Sequence, residues 1–167
     1  MDQQNNRMQR QLGRLNDVPQ FLRPWAQSMV LRRVVPFTGT AGLDFVSLTP
    51  GQVEIAIANH KRVQNHIGGV HASAMNLLAE TATGMVVGMN VRDDCLPLAK
   101  ELRMAFRKRA TGSLRAVATL TDEQRAALRG SDKGEVKVSV TVTDEAGVNP
   151  VECEFVWAWI PAGPRRS

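Results

Sequence analysis

The sequence predicts an α+β domain in which an antiparallel sheet wraps around one long central helix, and three observations carry this prediction. Between Arg62 and Arg92 the only formally charged residue is Glu80, so a helix here is apolar nearly all round and belongs in a core. The residues after it alternate between apolar and polar, most cleanly at the four valines of 136–142, as half-buried strands do. The last four predicted strands have no crossover helices between them, which excludes a doubly wound parallel sheet.

Composition is that of an ordinary soluble globular domain. A length of 167 residues suits one domain, and 43% hydrophobic and 22% charged residues are typical of that class. Lys and Arg exceed Asp and Glu by 21 to 16, a surplus that suits an anionic ligand such as a nucleotide phosphate. Only three Trp and five Phe occur, without an aromatic RNA-binding motif on the predicted strands, so nucleic acid is not an expected partner.

Cysteine usage and hydropathy bear on the compartment. Cys95 and Cys153 are the only cysteines and belong to no CxxC motif, which predicts free, largely buried thiols in a reducing environment. The N-terminal residues lack the apolar stretch of a secretory signal, and no run approaches 18 apolar residues. We therefore expect a cytoplasmic protein with no membrane span.

The chain divides into an arm, a domain and a tail. Residues 1–18 are polar and rich in Gln, Asn and Arg, which predicts a flexible arm. The domain then spans residues 19–161, and residues 162–167 form a short tail. Apolar residues at three- and four-residue steps predict an amphipathic helix from 19 to 35, ending before Pro36.

A hairpin, the central helix and four strands follow. Residues 39–42 are a predicted turn, and two alternating runs flank the turn dipeptide Pro50-Gly51, at 43–48 and 53–57. The central helix covers about residues 70–90, and the later strands cover 96–109, 114–120, 136–142 and 151–159. Residues 121–130 predict a short surface helix, because Thr121 and Gln124 have capping-box spacing and Gly130 is a stop. A sheet curled around one long apolar helix is the hot-dog arrangement.

The loop before the central helix is a candidate binding site. Gly68 and Gly69 immediately precede the first turn, whose backbone N–H groups have no partner within the helix. Such a terminus can bind a carbonyl oxygen and stabilise the oxyanion that develops on attack, and glycine keeps the approach open. The alternative is a plain glycine-rich loop that leads into a helix.

Glu80 is the sharper signal for chemistry. A carboxylate in an otherwise apolar helix must face a cleft, be paired, or be protonated, because burying it without partners is very costly. As a functional group it is a general base or nucleophile. The alternative is a structural ion pair with Lys100, which shares strand parity with Leu98 and Leu102.

Helix geometry makes the expected site composite. Ala72 and Glu80 are eight residues apart, which is roughly 12 Å along a helix axis. Glu80 therefore cannot reach a carbonyl held at the N-terminus of its own helix, but it can reach one held by an antiparallel helix of a second copy. This predicts a homodimer with two sites. Whether two such dimers pair into a tetramer is left open by the sequence.

The segment from Asn65 to Glu80 resembles the signature of hot-dog acyl-CoA thioesterases of the phenylacetate-pathway type. That signature has Asn, a Gly, His-Gly six and seven residues after the Asn, and an acidic residue fifteen after it. Asn65, Gly68, His71 and Glu80 fall in register, whereas Ala72 stands where the family has Gly. The stretch 104–114 is similar to the family's third-strand segment, and the insertion at 121–130 resembles a branch whose members mostly have no assigned function.

The resemblance implies a role for each matched residue. Glu80 would activate water or attack the thioester, and Asn65 would hold the water or the substrate carbonyl. The backbone N–H of Ala72 and its neighbours would form the oxyanion hole. An acyl-CoA or related thioester is the implied substrate, and no cofactor is implied.

Histidines and basic residues leave further alternatives. A dehydratase would need Asp five residues before Asn65, where the chain has His60, and His71 in the first turn suits a structural donor. The histidine spacing fits no standard zinc pattern, so we expect no metal.

Arg107 and Lys108 lie in a basic run that is either a phosphate cradle for CoA or a solvated strand face. The sequence thus leaves two alternative functions: a thioesterase, or a non-catalytic hot-dog module that binds acyl-CoA or a protein.

Overall fold

Residues 5–163 are described by a computed structural model, which contains one six-stranded antiparallel sheet. The strand order across the sheet is β1-β2-β4-β5-β6-β3. This confirms the predicted α+β hot-dog architecture, and all six predicted strands are present. Their bounds are β1 (Leu43–Leu48), β2 (Gln52–Ile57), β3 (Cys95–Phe106), β4 (Leu114–Thr119), β5 (Gly134–Asp144) and β6 (Val151–Pro161).

Five α-helices of the described residues accompany the sheet. The long α4 packs on its inner face, and the predicted capping box of the short surface helix α5 is present at Thr121 and Gln124. The predicted turn at 39–42 is instead the end of a short helix, closed by Gly42 in the left-handed region at φ 76°. The helices are α1 (Arg7–Gly13), α2 (Arg23–Val34), α3 (Pro36–Ala41), α4 (Ala72–Gly88) and α5 (Asp122–Gly130).

The core forms where α4 lies in the curl of the sheet. Leu78, Ala79 and Val86 have no exposed surface, as expected for a helix that is apolar nearly all round. The indole of Trp157 on β6 lies against Gly84, where an added Cβ would come within 2.7 Å of the ring. Glycine at this position therefore lets the sheet approach the helix closely.

The N-terminal segment is a docked helix, so the prediction of a flexible arm is wrong for residues 5–17. The side-chain amide of Asn6 donates to the backbone carbonyls of Gly88 (2.8 Å) and Val91 (2.7 Å). The side-chain amide of Gln9 donates to the backbone carbonyl of Met89 (2.6 Å). These amides satisfy carbonyls that the end of α4 leaves without partners. The first four residues of the arm and residues 164–167 of the tail lie outside the described part of the chain.

Helix α2 forms as predicted, but its burial differs from the prediction. Phe21 and Trp25, which belong to its expected apolar face, are 81% and 64% exposed, whereas Ala26, Ser28 and Leu31 are buried. The reason is that α2 contacts β1 through polar as well as apolar side chains. Ser28 Oγ accepts the N–H of Phe45 at 2.8 Å, and Arg32 Nε donates to the carbonyl of Leu43 at 2.8 Å. The β1 edge of the sheet is thereby covered within the chain.

Within residues 5–163, no strand pairs with the outer edge of β3. Leu102 and Phe106 lie opposite Phe155 and Val151, which are buried, so both belong to the inner face of the sheet. They are nevertheless 47% and 53% exposed. A long edge strand with uncovered apolar residues on its inner face is typical of a surface that another chain covers.

Candidate active site

The loop of residues 65–69 is held by the side chain of Asn65. Its Oδ1 accepts the N–H groups of Ile67 (3.0 Å) and Gly69 (3.1 Å), and its backbone N–H donates to the carbonyl of Gly69 (2.8 Å). Gly68, at φ 78°, supplies the left-handed residue that this tight loop needs. The acceptor of the Asn65 amide is thus occupied within the loop. The Nδ2 group is the part of the amide that remains for a ligand.

The N-terminus of α4 follows two residues later. His71 is its N-cap, and its Nδ1 accepts the N–H of Ser73 at 3.0 Å. The ring of His71 therefore has a structural role as an acceptor through Nδ1, and its backbone N–H donates to the carbonyl of Val63 at 2.8 Å. Within the described residues the N–H of Ala72 makes no hydrogen bond, and Ala72 is exposed. Of the N–H groups expected in an oxyanion hole, that of Ala72 is free and that of Ser73 is taken by the cap.

Glu80 lies two turns further along α4, on a partly exposed face of the helix. Burial raises the pKa of the Glu80 carboxyl group, and the neighbouring Thr81 hydroxyl lowers this pKa in part. Within residues 5–163, the Thr81 hydroxyl forms no hydrogen bond of standard geometry. The backbone carbonyl of Glu80 accepts the Thr83 hydroxyl at 2.9 Å, and Thr83 in turn accepts the indole N–H of Trp157 at 3.0 Å. These contacts hold the backbone of the helix at Glu80. The Glu80 carboxylate itself has no cationic partner in the described part of the chain.

The alternative ion pair between Glu80 and Lys100 is wrong. Lys100 pairs with Glu135 on β5. The cause is a β-bulge between Ala99 and Glu101, which makes Lys100 the extra residue of β3 and breaks the strand parity assumed from the sequence. Leu98 and Leu102 consequently lie on opposite faces of the sheet.

Asn76 is a polar residue of this helix that the sequence analysis did not single out. It lies midway between Ala72 and Glu80, four residues or roughly 6 Å along the axis from each. Its Oδ1 is buried and accepts no hydrogen bond within the described residues. A polar residue on a nearly apolar helix, one turn from the only carboxylate, was the signal available in the sequence.

The basic segment after β3 meets the Asn65 loop through one residue. Arg109 donates to the carbonyl of Ile67 at 3.0 Å, which tethers that loop to the sheet. Lys108 is exposed beside it, whereas Arg107 forms an ion pair with Glu152 at 2.8 Å. The structure therefore brings Arg109 into contact with the Asn65 loop and assigns Arg107 an intramolecular partner.

An apolar cavity of about 400 Å³ lies at the other end of α4. Its walls come from α1, α2 and the start of β3, and include Met8, Val30 and Val91. None of the predicted site residues lines this cavity. Gly88, the α4 residue in its wall, lies eight residues after Glu80. The site residues instead lie along the surface from the Asn65 loop to Glu80.

The two thiols and the helices add two further findings. Cys95 and Cys153 are both free, and burial raises the pKa of the Cys153 thiol to about 11, so this thiol is not an activated nucleophile. Among residues 5–163, no helix combines the length and the apolar character that crossing a bilayer requires.

Residues 23–160 match a protein family described as a domain of unknown function, DUF4442. The match covers α2 through β6 and thus the whole sheet. The chain belongs to the DUF4442 family. No curated protein sequence matches this DUF4442 chain significantly.

Solved structures share the fold of this DUF4442 chain. PA5026 from Pseudomonas aeruginosa, described as a protein of unknown function and "Probable Thioesterase", is similar with a TM-score of 0.73 and 26% identity, over 81% of this chain and 93% of that one. A thioesterase family protein from Silicibacter pomeroyi has a TM-score of 0.63 and 15% identity, over 83% and 99%. Thioesterase HI1161 from Haemophilus influenzae has a TM-score of 0.60 and 12% identity, over 75% and 82%. These similarities show that the chain shares the hot-dog fold of these proteins.

Proposed function

We propose that this DUF4442 protein hydrolyses acyl-CoA-type thioesters as a dimer, with Glu80 of one copy acting on a carbonyl held at the N-terminus of α4 of the other. The observation that carries the proposal is Glu80 itself. It is the only formally charged residue between Arg62 and Arg92, and it is partly buried without a cationic partner in the described residues. A structural carboxylate in that setting would be costly, whereas a base needs it.

The Asn65 loop and the N-terminus of α4 supply the hydrogen-bond donors that would polarise the thioester carbonyl group. The free N–H of Ala72 and the Nδ2 group of Asn65 would both donate to the thioester carbonyl oxygen, and the helix dipole favours the charge that develops there. Backbone donors do not depend on the side chain, so the Ala in place of Gly keeps this function. The added methyl group narrows the approach to the carbonyl.

Glu80 would then act on water or on the carbon directly. As a base it removes a proton from water, whose oxygen attacks the carbonyl carbon and forms a tetrahedral oxyanion. Collapse of that intermediate breaks the C–S bond, and the thiolate of CoA leaves and takes up the proton. As a nucleophile Glu80 forms a mixed anhydride, which water hydrolyses in a second step. The products are the same carboxylic acid and thiol.

Two features support a dimer and a CoA-type substrate. The uncovered inner-face residues of β3, Leu102 and Phe106, provide an apolar edge for a second copy. Lys108 is exposed and directly precedes Arg109, which contacts the Asn65 loop, so its ammonium group would be available to the phosphates of CoA. The thioesterases among the structural neighbours support the same substrate class.

The proposal is tested by thiol release from a panel of acyl-CoA thioesters. Glu80→Gln keeps the shape of the side chain and removes the base, so hydrolysis should fall by about 10²- to 10⁴-fold. Glu123→Gln, which removes an exposed carboxylate on α5, is the matched control and should retain wild-type turnover. Acyl-CoA binding without thiol release by the wild type would instead favour the non-catalytic module.

The pH profile tests the state of Glu80. Because burial raises its pKa above the ordinary glutamate value, kcat/KM should fall as pH drops through that raised pKa. The effect on folding has the opposite sign. The folded state holds the proton more tightly, so the free energy of unfolding decreases as pH rises from the unfolded pKa to the folded one. Glu80→Gln should remove both dependences, and an acid limb unchanged in this variant would contradict the assignment.

Asn65 has a variant that separates its two contacts. Asn65→Asp keeps the Oδ acceptor that holds the loop and removes the Nδ2 donor, whereas Asn65→Ala removes both. We expect turnover to fall by one to two orders of magnitude in both variants, roughly the 10²-fold cost of a lost positioning contact. Thermal melts should show that only Asn65→Ala loosens the fold. Wild-type kinetics in Asn65→Asp would remove the amide from the site.

A further inference from the structure

Asn76 has an unmet hydrogen-bonding need in the single chain. Its Oδ1 is buried and accepts no hydrogen bond within residues 5–163, although its side chain retains some exposed surface. A buried amide acceptor without a donor is costly, so a partner outside the chain would stabilise this residue. The face on which it lies also carries Ala72 one turn earlier and Glu80 one turn later.

The composite site fixes what lies opposite Asn76. In a dimer whose two-fold axis is perpendicular to α4, the α4 helices of the two copies run antiparallel, and the register is set by placing Glu80 of one copy opposite Ala72 of the other. Each step from Glu80 toward the N-terminus of one helix then matches a step from Ala72 toward the C-terminus of the other. After four steps on each helix both positions are Asn76. The residue therefore lies on the two-fold axis, opposite itself.

We propose that Asn76 pairs with Asn76 of a second copy across the dimer axis and is the positioning residue that sets the register of the two α4 helices. The inference rests on the composite site of the proposed function. A carboxamide is self-complementary, since Nδ2 of each side chain can donate to Oδ1 of the other. The terminal torsion of Asn is broad, so the amide can turn to present both atoms. Both buried acceptors are then satisfied.

The pair acts on catalysis through alignment only. A slip of one helical turn would leave each Asn76 amide without its counterpart and would carry Glu80 roughly 5–6 Å away from the carbonyl site. A single buried Asn sets register and partner number in coiled coils by the same penalty. Asn76 is thus distinct from Glu80 and Asn65, which would contact the substrate.

Disulfide trapping tests the geometry without reference to activity. In a background lacking the native thiols (Cys95→Ser, Cys153→Ala), Asn76→Cys should form a covalent dimer on mild oxidation. Ala72→Cys alone should not, because two copies of that position are roughly 12 Å apart along the axis and a disulfide needs Cα atoms within about 7 Å. A mixture of Ala72→Cys and Glu80→Cys chains should link. Linking of this mixture without linking of Asn76→Cys overturns the amide pair and leaves the composite site standing, whereas failure of both overturns the two together.

Charge complementation tests the function of the pair. Two N76D chains, or two N76K chains, place like charges opposite each other, which should weaken the dimer by roughly fivefold to a thousandfold, the range that Coulomb's law gives for unit charges about 4 Å apart at a protein surface. Mixing N76D with N76K should restore both the dimer and thiol release. A residue that supports only its own chain would show no such rescue. Full activity and dimerisation of N76D alone would contradict the proposal.

Discussion

The two edges of the sheet differ in what completes them. At the β1 edge, Ser28 and Arg32 of α2 bond the backbone of Phe45 and Leu43. At the β3 edge, within the described residues, no further strand pairs with the sheet, and inner-face side chains such as Leu102 remain exposed. Both edges would be open to pairing if left bare. The chain thus covers one edge itself, and we propose that a second copy covers the other.

The largest effect is expected at the β3 edge. Leu102→Glu places a carboxylate in the proposed interface of each copy, so the dimer dissociation constant should rise by at least about 10²-fold, as expected for an uncompensated buried charge. Leu22→Glu, directly before α2, is a matched control, because Leu22 is exposed to a similar extent, 41% against 47%. Sedimentation should show monomers for the first variant and dimers for the second. A dimeric Leu102→Glu variant would show that the two edges do not differ in this way.

A smaller effect is expected at the β1 edge. Ser28→Ala leaves the N–H of Phe45 without its acceptor, which should lower the free energy of unfolding by about 1–3 kcal/mol and leave the dimer intact. Ser139→Ala on β5, where the side chain is exposed, is the control and should change stability by less than about 0.5 kcal/mol. Denaturant titration measures both. Equal stability of the two variants would mean that α2 does not complete this edge.

The smallest effect concerns the helix that closes the end of α4. Asn6→Ala removes the N-cap of α1 and two bonds to carbonyls at and just after the end of α4, so stability should fall by about 0.5–2 kcal/mol. Asn5→Ala alters the exposed neighbour and is the control. A thermal melt compares the two. Identical melting curves would indicate that α1 contributes nothing to the fold.

The sequence predicted those elements whose signal is hydrophobic. Period-two alternation located all six strands, and the charge-free stretch around Glu80 located the buried helix. The docking of α1 escaped prediction because its contacts are side-chain amides to backbone carbonyls, which leave no periodicity. The position of Lys100 was wrong because one bulged residue reverses strand parity, and a bulge has no marker in this stretch.

The candidate site was predictable as a set of positions but not as a set of contacts. The resemblance to the thioesterase signature, together with helix spacing, brought Asn65, Ala72 and Glu80 together as candidates. It could not show that the Asn65 acceptor is used within the loop, or that His71 caps the helix, because both depend on local backbone geometry. Asn76 was missed because its meaning depends on the residue that faces it in another copy.

Mixed dimers test the composite site most directly. Glu80→Gln lacks the base, and Ala72→Pro lacks the N–H donor at the first position of α4, where proline is well tolerated. Each variant alone should be nearly inactive in a thiol-release assay. After dissociation and re-association of an equal mixture, about a quarter of wild-type activity should return, since half of the dimers are mixed and each has one intact site of two. A mixture as inactive as its components would contradict a site shared between two copies.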